Sequence, residues 1–273
     1  MAEHNIRGKV VVITGASSGF GKGTALQFAE EGASLALAAR RGELLEELAR
    51  ECESRGTKAL AVPTDVSRPE EVERLAETAI QAFGRIDVWV NNAGVGAIGR
   101  FERIPLEVHD QVVRTDLLGT LYGSYYAYQQ FLKQGGGILI NVASETGRHT
   151  VPYYSSYAAA KHGVVGLSDA LRQEIEQNEI EGVHVCTVMI DTIVRLAHDP
   201  KDAKIVGADG VVKILMKKVA PELEERMVAK QIHKMQYEQA PLADDSPGAV
   251  RSPIPQGTGV SAGRRSSDEA ASR

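Results

Sequence analysis

Residues 9–32 read KVVVITGASSGFGKGTALQFAEEG. The opening run from Val10 to Ile13 is unbroken apolar, the pattern of a strand covered on both faces. The closing run, 22–32, reads as a helix stopped by Gly32. Between them lie Gly15, Gly19 and Gly21, spaced Gly-x3-Gly-x-Gly. Glycines let the backbone turn tightly and approach a ligand closely, and a helix N-terminus offers free N–H groups and a positive dipole end. Three glycines alone mark an ordinary turn. Set between an apolar strand and a helix, they read as a phosphate cradle.

The same alternation runs down the chain. Further strands are expected at 34–40, 58–66, 85–94, 136–144, 183–189 and 203–210, and helices at 42–56, 69–84, 106–133, 153–178 and 221–238. Ser67 and Glu70, three apart, read as a capping box for the third helix. This rhythm predicts an α/β fold, a doubly wound, mostly parallel sheet of about seven strands with helices on both faces. The main domain is expected over 1–240. From Pro241 the chain is rich in Pro, Gly, Ser and Ala, so 241–273 is expected to be a disordered or loosely docked tail.

A 273-residue chain can bury a full core without disulfides. Its two cysteines, Cys52 and Cys186, match no metal or redox spacing, and no histidine pair has a carboxylate partner at ligand spacing, so no metal is expected. A net charge of −5 argues against a nucleic-acid partner. The N-terminus has no apolar run long enough for a signal peptide or a membrane span, so a soluble, cytoplasmic protein with no membrane partner is expected.

Other motifs sit at the ends of the expected strands. They are Asp65 and Val66 after the third; Asn91, Asn92, Ala93 and Gly94 after the fourth; Ser144 after the fifth; and Tyr157-x3-Lys161 on the next helix. With the glycine spacing, this set resembles the short-chain dehydrogenase/reductase family over about 8–188. The resemblance implies a Rossmann fold, an oxidoreductase acting on a carbonyl or secondary alcohol, and a small-molecule substrate. It implies cofactor contacts from Gly15, Ser17, Ser18, Gly19, Phe20, Gly21, Asp65, Val66, Asn92, Ala93 and Gly94. It also implies a homodimer or homotetramer through the two long helices. Phe20 stands where the family usually has Ile.

An NAD enzyme places an acid at the end of the second strand for the ribose 2′-hydroxyl. Here Ala39 fills that place, followed by Arg40 and Arg41. A guanidinium matches a 2′-phosphate in charge and geometry. NADP is therefore the expected cofactor, with Arg40 as its first contact.

Tyr157 and Lys161 are four apart, so they share one helix face. As in the family, Tyr157 is expected to pass the proton, Lys161 to assist it and hold the nicotinamide ribose, and Ser144 to bond the substrate oxygen. A free tyrosine titrates near ~10. An ammonium ~4 Å away at an effective dielectric of ~20 is worth ~4 kcal/mol, or ~3 pKa units, so one lysine can suffice. Asp116 replaces the family's usual Asn. Its backbone can keep the family's role in a water relay, or its carboxylate can pair with Lys161 and alter its charge.

After the sixth strand the family has a turn at the nicotinamide and a substrate lid. Here Met189 is followed directly by Ile190 and a helix-like stretch, without Gly or Pro between them. Such connections usually take about 2–6 residues. The turn and lid are expected to be missing at Met189–Ile190. The alternative function is then an NADP-binding protein with little or no catalysis.

Overall fold

In a computed structural model, the structure describes residues 6–150 and 152–188 and the strand positions 203–204. The strands are β1 (Val10–Thr14), β2 (Ser34–Ala39), β3 (Ala59–Pro63), β4 (Val88–Asn91), β5 (Gly137–Val142), β6 (Val183–Val188) and β7 (Ala203–Lys204). The helices are α1 (Gly19–Glu30), α2 (Gly42–Glu53), α3 (Pro69–Phe83), α4 (Leu106–Val113), α5 (Gly119–Gln134) and α6 (Ser155–Gln177). All strand pairs are parallel, in the order β3-β2-β1-β4-β5-β6-β7. This is the expected doubly wound sheet. The order reverses between β1 and β4, and in open α/β sheets ligands bind at the carboxyl ends beside such a reversal.

Alternate strand residues feed two cores, because side chains along a strand point to opposite faces. Val11, Ile13, Leu35, Leu37 and Val90 pack with Phe28 of α1 and Leu45 and Leu48 of α2. Val12, Ala36, Trp89 and Leu139 pack with Val72 and Leu75 of α3 and Phe131 of α5. Both faces are dry, which explains the near-continuous apolar strands. Cys52 and Cys186 are both buried. Burial pushes the Cys52 thiol up to about 11, where it is unreactive.

One local expectation needs correction. The capping box on Ser67 and Glu70 does not form. α3 starts at Pro69, as expected, but its N-cap is Arg68 and no side chain caps it. Ser67 instead donates its N–H and O–H to Asp65 Oδ1, and Glu71, not Glu70, reaches back to accept the Asp65 N–H at 2.7 Å. The long helical stretch expected over 106–133 is present, as α4 and α5 joined by a π-turn, Arg114–Leu118. A π-turn adds a residue to the turn and is found most often at functional sites.

The sixth helix begins at Ser155 rather than 153, because Tyr153 has φ +73°, outside the right-handed helical region. Of the seventh strand expected at 203–210, positions 203–204 form β7, and 205–210 lie outside the described residues. The helix expected at 221–238, the junction Met189–Ile190 and the tail 241–273 lie outside the described residues.

Candidate active site

The cradle forms at the carboxyl end of β1. Gly15 has φ +68°, and a Cβ there would sit 2.8 Å from the Ala93 Cα. A Cβ on Gly21 would run into the Gly15 carbonyl oxygen. Close approach of three backbone segments therefore requires these glycines. Gly15→Ala is expected to cost about 1–3 kcal/mol of stability, as strained backbone does, readable as a lower midpoint in urea unfolding. Thr14 ties the cradle to the loop after β4, its Oγ1 accepting the N–H groups of Asn92 and Ala93 at 3.0 and 3.1 Å. Asn92 Nδ2 donates to the Thr14 and Gly15 carbonyls at 2.9 and 3.3 Å. The Asn92 side chain thus shapes the cradle from behind.

No side chain caps the first turn of α1, which also carries no acid. Its N–H groups and dipole are set for an anion. Arg41 lies over this turn, donating to Ser17 Oγ at 3.0 and 3.2 Å and to Ser18 Oγ at 2.7 Å. Burial, then the neighbouring Arg40 charge, lowers its hold on its proton, still far above neutrality for a guanidinium. Arg40, expected to make the first contact, is the second positive group at this edge. Phe20 is 63% exposed at the start of α1. Val66 is buried against Gly119, and Asp65 is held by Ser67 and Glu71. The glycine cradle, the uncapped helix and the guanidinium suit a dinucleotide carrying phosphates.

The second half of the site lies at the carboxyl ends of β4 and β5. Ser144 caps a 3₁₀ turn, Glu145–Gly147, through an Oγ that accepts the Thr146 N–H at 3.3 Å. That turn packs on α6 so closely that a Cβ on Gly147 would lie 2.7 Å from the Lys161 carbonyl oxygen. Tyr157 is half-buried, and its ring packs against Val108 and Val112 of α4. The Lys161 Nζ stands 5.5 Å from the Tyr157 ring centroid and donates to the Val142 carbonyl at 3.1 Å.

Asp116 is brought here by the π-turn. Its carboxylate is fully buried, with Oδ1 accepting the Val95 N–H at 2.7 Å and Oδ2 lying 3.2 Å from Lys161 Nζ. Burial raises the Asp116 carboxyl, while the Lys161 ammonium and the Val95 amide pull it down. Burial also pulls Lys161 down, but Asp116 and Tyr157 outweigh it and leave the ammonium above its ordinary value. We take the pair as ionised, because the amide and the ammonium both stabilise a charged carboxylate. A Cβ on Gly94 would lie 3.1 Å from Asp116 Oδ2 and 3.4 Å from Lys161 Nζ, so this glycine makes room for the pair.

Three contacts were not legible in the residues: the Val95 amide on Asp116, the Val142 carbonyl on Lys161, and the His109 ring against Ser156 Oγ at 3.0 Å. Two use backbone atoms, and the third joins elements 47 positions apart. Among the described residues, no cluster of His, Cys, Asp or Glu could hold a metal, and no helix is long and apolar enough to cross a membrane.

A family model for short chain dehydrogenases matches residues 9–202. Over 175 residues the chain is 41% identical to YxnA, an uncharacterized oxidoreductase of Bacillus subtilis (strain 168). That match covers 64% of this chain and 49% of the relative, so the chain spans about half of that relative's length. It is 34% identical over 208 residues to an uncharacterized oxidoreductase of Staphylococcus aureus (strain USA300), covering 76% of this chain and 89% of the relative. A solved short-chain type dehydrogenase/reductase from Mycobacterium marinum superposes with a TM-score of 0.63 at 34% identity, covering 68% of this chain and 73% of that one. With the cradle at β1 and the tyrosine–lysine pair at β5, the chain belongs to the short-chain dehydrogenase family, oxidoreductases that use a nicotinamide cofactor.

Proposed function

We propose that the chain is an NADP(H)-dependent oxidoreductase that interconverts a carbonyl and a secondary alcohol. The observation that carries this assignment is the buried Lys161 ammonium, 5.5 Å from the Tyr157 ring centroid at the carboxyl end of β5. The cofactor, when bound, supplies or takes the hydride. Tyr157 gives its phenol proton to the carbonyl oxygen in reduction and takes one from the alcohol in oxidation. Ser144 donates a hydrogen bond to that oxygen as charge develops on it. Lys161 favours the charged tyrosine and holds the nicotinamide ribose.

NADP rather than NAD is supported by Arg41 over Ser17 and Ser18, by Arg40 beside it, and by Ala39 where an acid would hold a ribose hydroxyl. Charge-assisted hydrogen bonds are worth ~1.5–3 kcal/mol. Arg41→Ala is expected to weaken NADPH binding by about ten- to a hundredfold and to leave NADH nearly unchanged. Fluorescence titration with both cofactors checks this, and equal losses would overturn the NADP assignment.

The chain between Val188 of β6 and Ala203 of β7 is 14 residues, 189–202. A parallel crossover uses about a dozen or more. That length supports the proposal that the cofactor turn and lid are missing at Met189–Ile190, within a main domain of 1–240 followed by a tail. Turnover is then weak, because water reaches the nicotinamide side and dilutes the help from Ser144 and Lys161.

We further propose a cytoplasmic homodimer or homotetramer. The outward side of α5 exposes Leu121, Tyr125 and Leu132, and Tyr125 is 59% exposed. An apolar row of this kind suits a subunit contact. Light scattering at micromolar concentration is expected to give a mass above the monomer.

A further inference from the structure

The proton transfer proposed above needs Tyr157, Ser144 and Lys161, but it does not need a carboxylate. Yet Asp116 is fully buried beside them. Among the described residues its Oδ2 has no well-aligned hydrogen bond, so its contact with Lys161 at 3.2 Å is one of charge. Lys161 is fixed at two points, by Asp116 and by the Val142 carbonyl.

Among the described residues, the titratable groups facing this pair are few. The π-turn gives Asp116, and α6 gives Lys161 and Tyr157. The loop after β4 gives the Val95 amide and the bare Gly94, and β5 gives the Val142 carbonyl. On α4, His109 is turned away, onto Ser156 and the Phe101 carbonyl. The field at Tyr157 is therefore that of an ion pair, not of a lone ammonium. A pair's field falls off faster with distance than a single charge's, so the tyrosine receives less help than Lys161 alone would give.

We propose, on the basis of the oxidoreductase assignment, that Asp116 is a positioning residue that holds Lys161 in place and, by neutralising its charge, sets the working range of the site toward alkaline pH. Asp116→Asn tests this, because it keeps an oxygen for the Val95 amide and nearly the same volume while removing the charge. Two effects follow with one sign. Lys161 loses the partner that holds its proton, and Tyr157 faces an uncompensated cation. Both move the alkaline transition of the site to lower pH.

The experiment has two arms. The first measures kcat for NADPH-dependent carbonyl reduction between about pH 6 and 11 in the wild type and in Asp116→Asn. Its alkaline limb is expected to move down by about one pH unit or more in the variant. The second follows the ¹⁵N resonance of the Lys161 Nζ over the same range, assigned with Lys161→Arg, and needs no turnover. The Lys161 titration is expected to move down as well. A fall in kcat with both transitions unmoved would overturn the proposal and leave Asp116 a packing residue. A moved resonance in a protein that turns over no carbonyl would uphold the pair and overturn the oxidoreductase assignment. If Asn does not fold in place, Asp116→Ser removes the same charge and is read the same way.

Discussion

Replacing Tyr157 by Phe is expected to lower turnover by about 10²–10⁴-fold while leaving NADPH binding intact. That range is what a positioned proton donor contributes. The ring packs on Val108 and Val112 of α4, and phenylalanine keeps that packing. The change therefore removes one oxygen and little else. Initial rates of NADPH oxidation, beside NADPH affinity measured by fluorescence, check both halves. A wild-type rate in the variant would contradict the assigned chemistry.

Lys161→Met is expected to be the more damaging change for the fold. It leaves the Asp116 carboxylate buried without a counter-charge, and breaking a buried ion pair from one side costs about 3–5 kcal/mol. A domain's whole stability is about 5–15 kcal/mol, so the loss is a large share of it. The sign with pH follows from burial. Without Lys161, desolvation alone raises the folded carboxyl above its unfolded value of about 3.9. Such a group contributes stability below its unfolded value and loses it as pH rises through the folded one. The variant is therefore closest to wild type in acid and weakest toward neutrality. The double change Asp116→Asn with Lys161→Met is expected to recover most of the loss. Urea unfolding at several pH values reads all three proteins. A single variant as stable as wild type at neutral pH would contradict the ion pair.

The fold was legible wherever the pattern repeats. Val10–Thr14, Ser34–Ala39 and Val88–Asn91 are buried nearly throughout, and unbroken apolar runs are how such strands read. The cradle was legible because glycine has few substitutes where a Cβ would strike a neighbouring backbone. The π-turn was not, since one added residue at Arg114–Leu118 leaves the helical periodicity on either side intact. The start of α3 at Pro69 was legible, although the Ser67–Glu70 capping box that pointed to it does not form. At the cofactor edge, composition identified two arginines but not which one bends back. Only folding brings the Arg41 guanidinium to Ser17 and Ser18, more than twenty positions away. The Asp116–Lys161 pair was an open possibility in the sequence, and the approach of the π-turn to α6 decides it.

Following the hydride itself tests the central claim most directly. The chain is incubated with NADPH carrying deuterium at the transferred position of the nicotinamide and with a panel of ketones and aldehydes. The product alcohols are then read by mass spectrometry. Deuterium on the carbinol carbon of at least one product, lost in Tyr157→Phe, is the predicted result. Tight NADPH binding with no labelled alcohol from any carbonyl would contradict it.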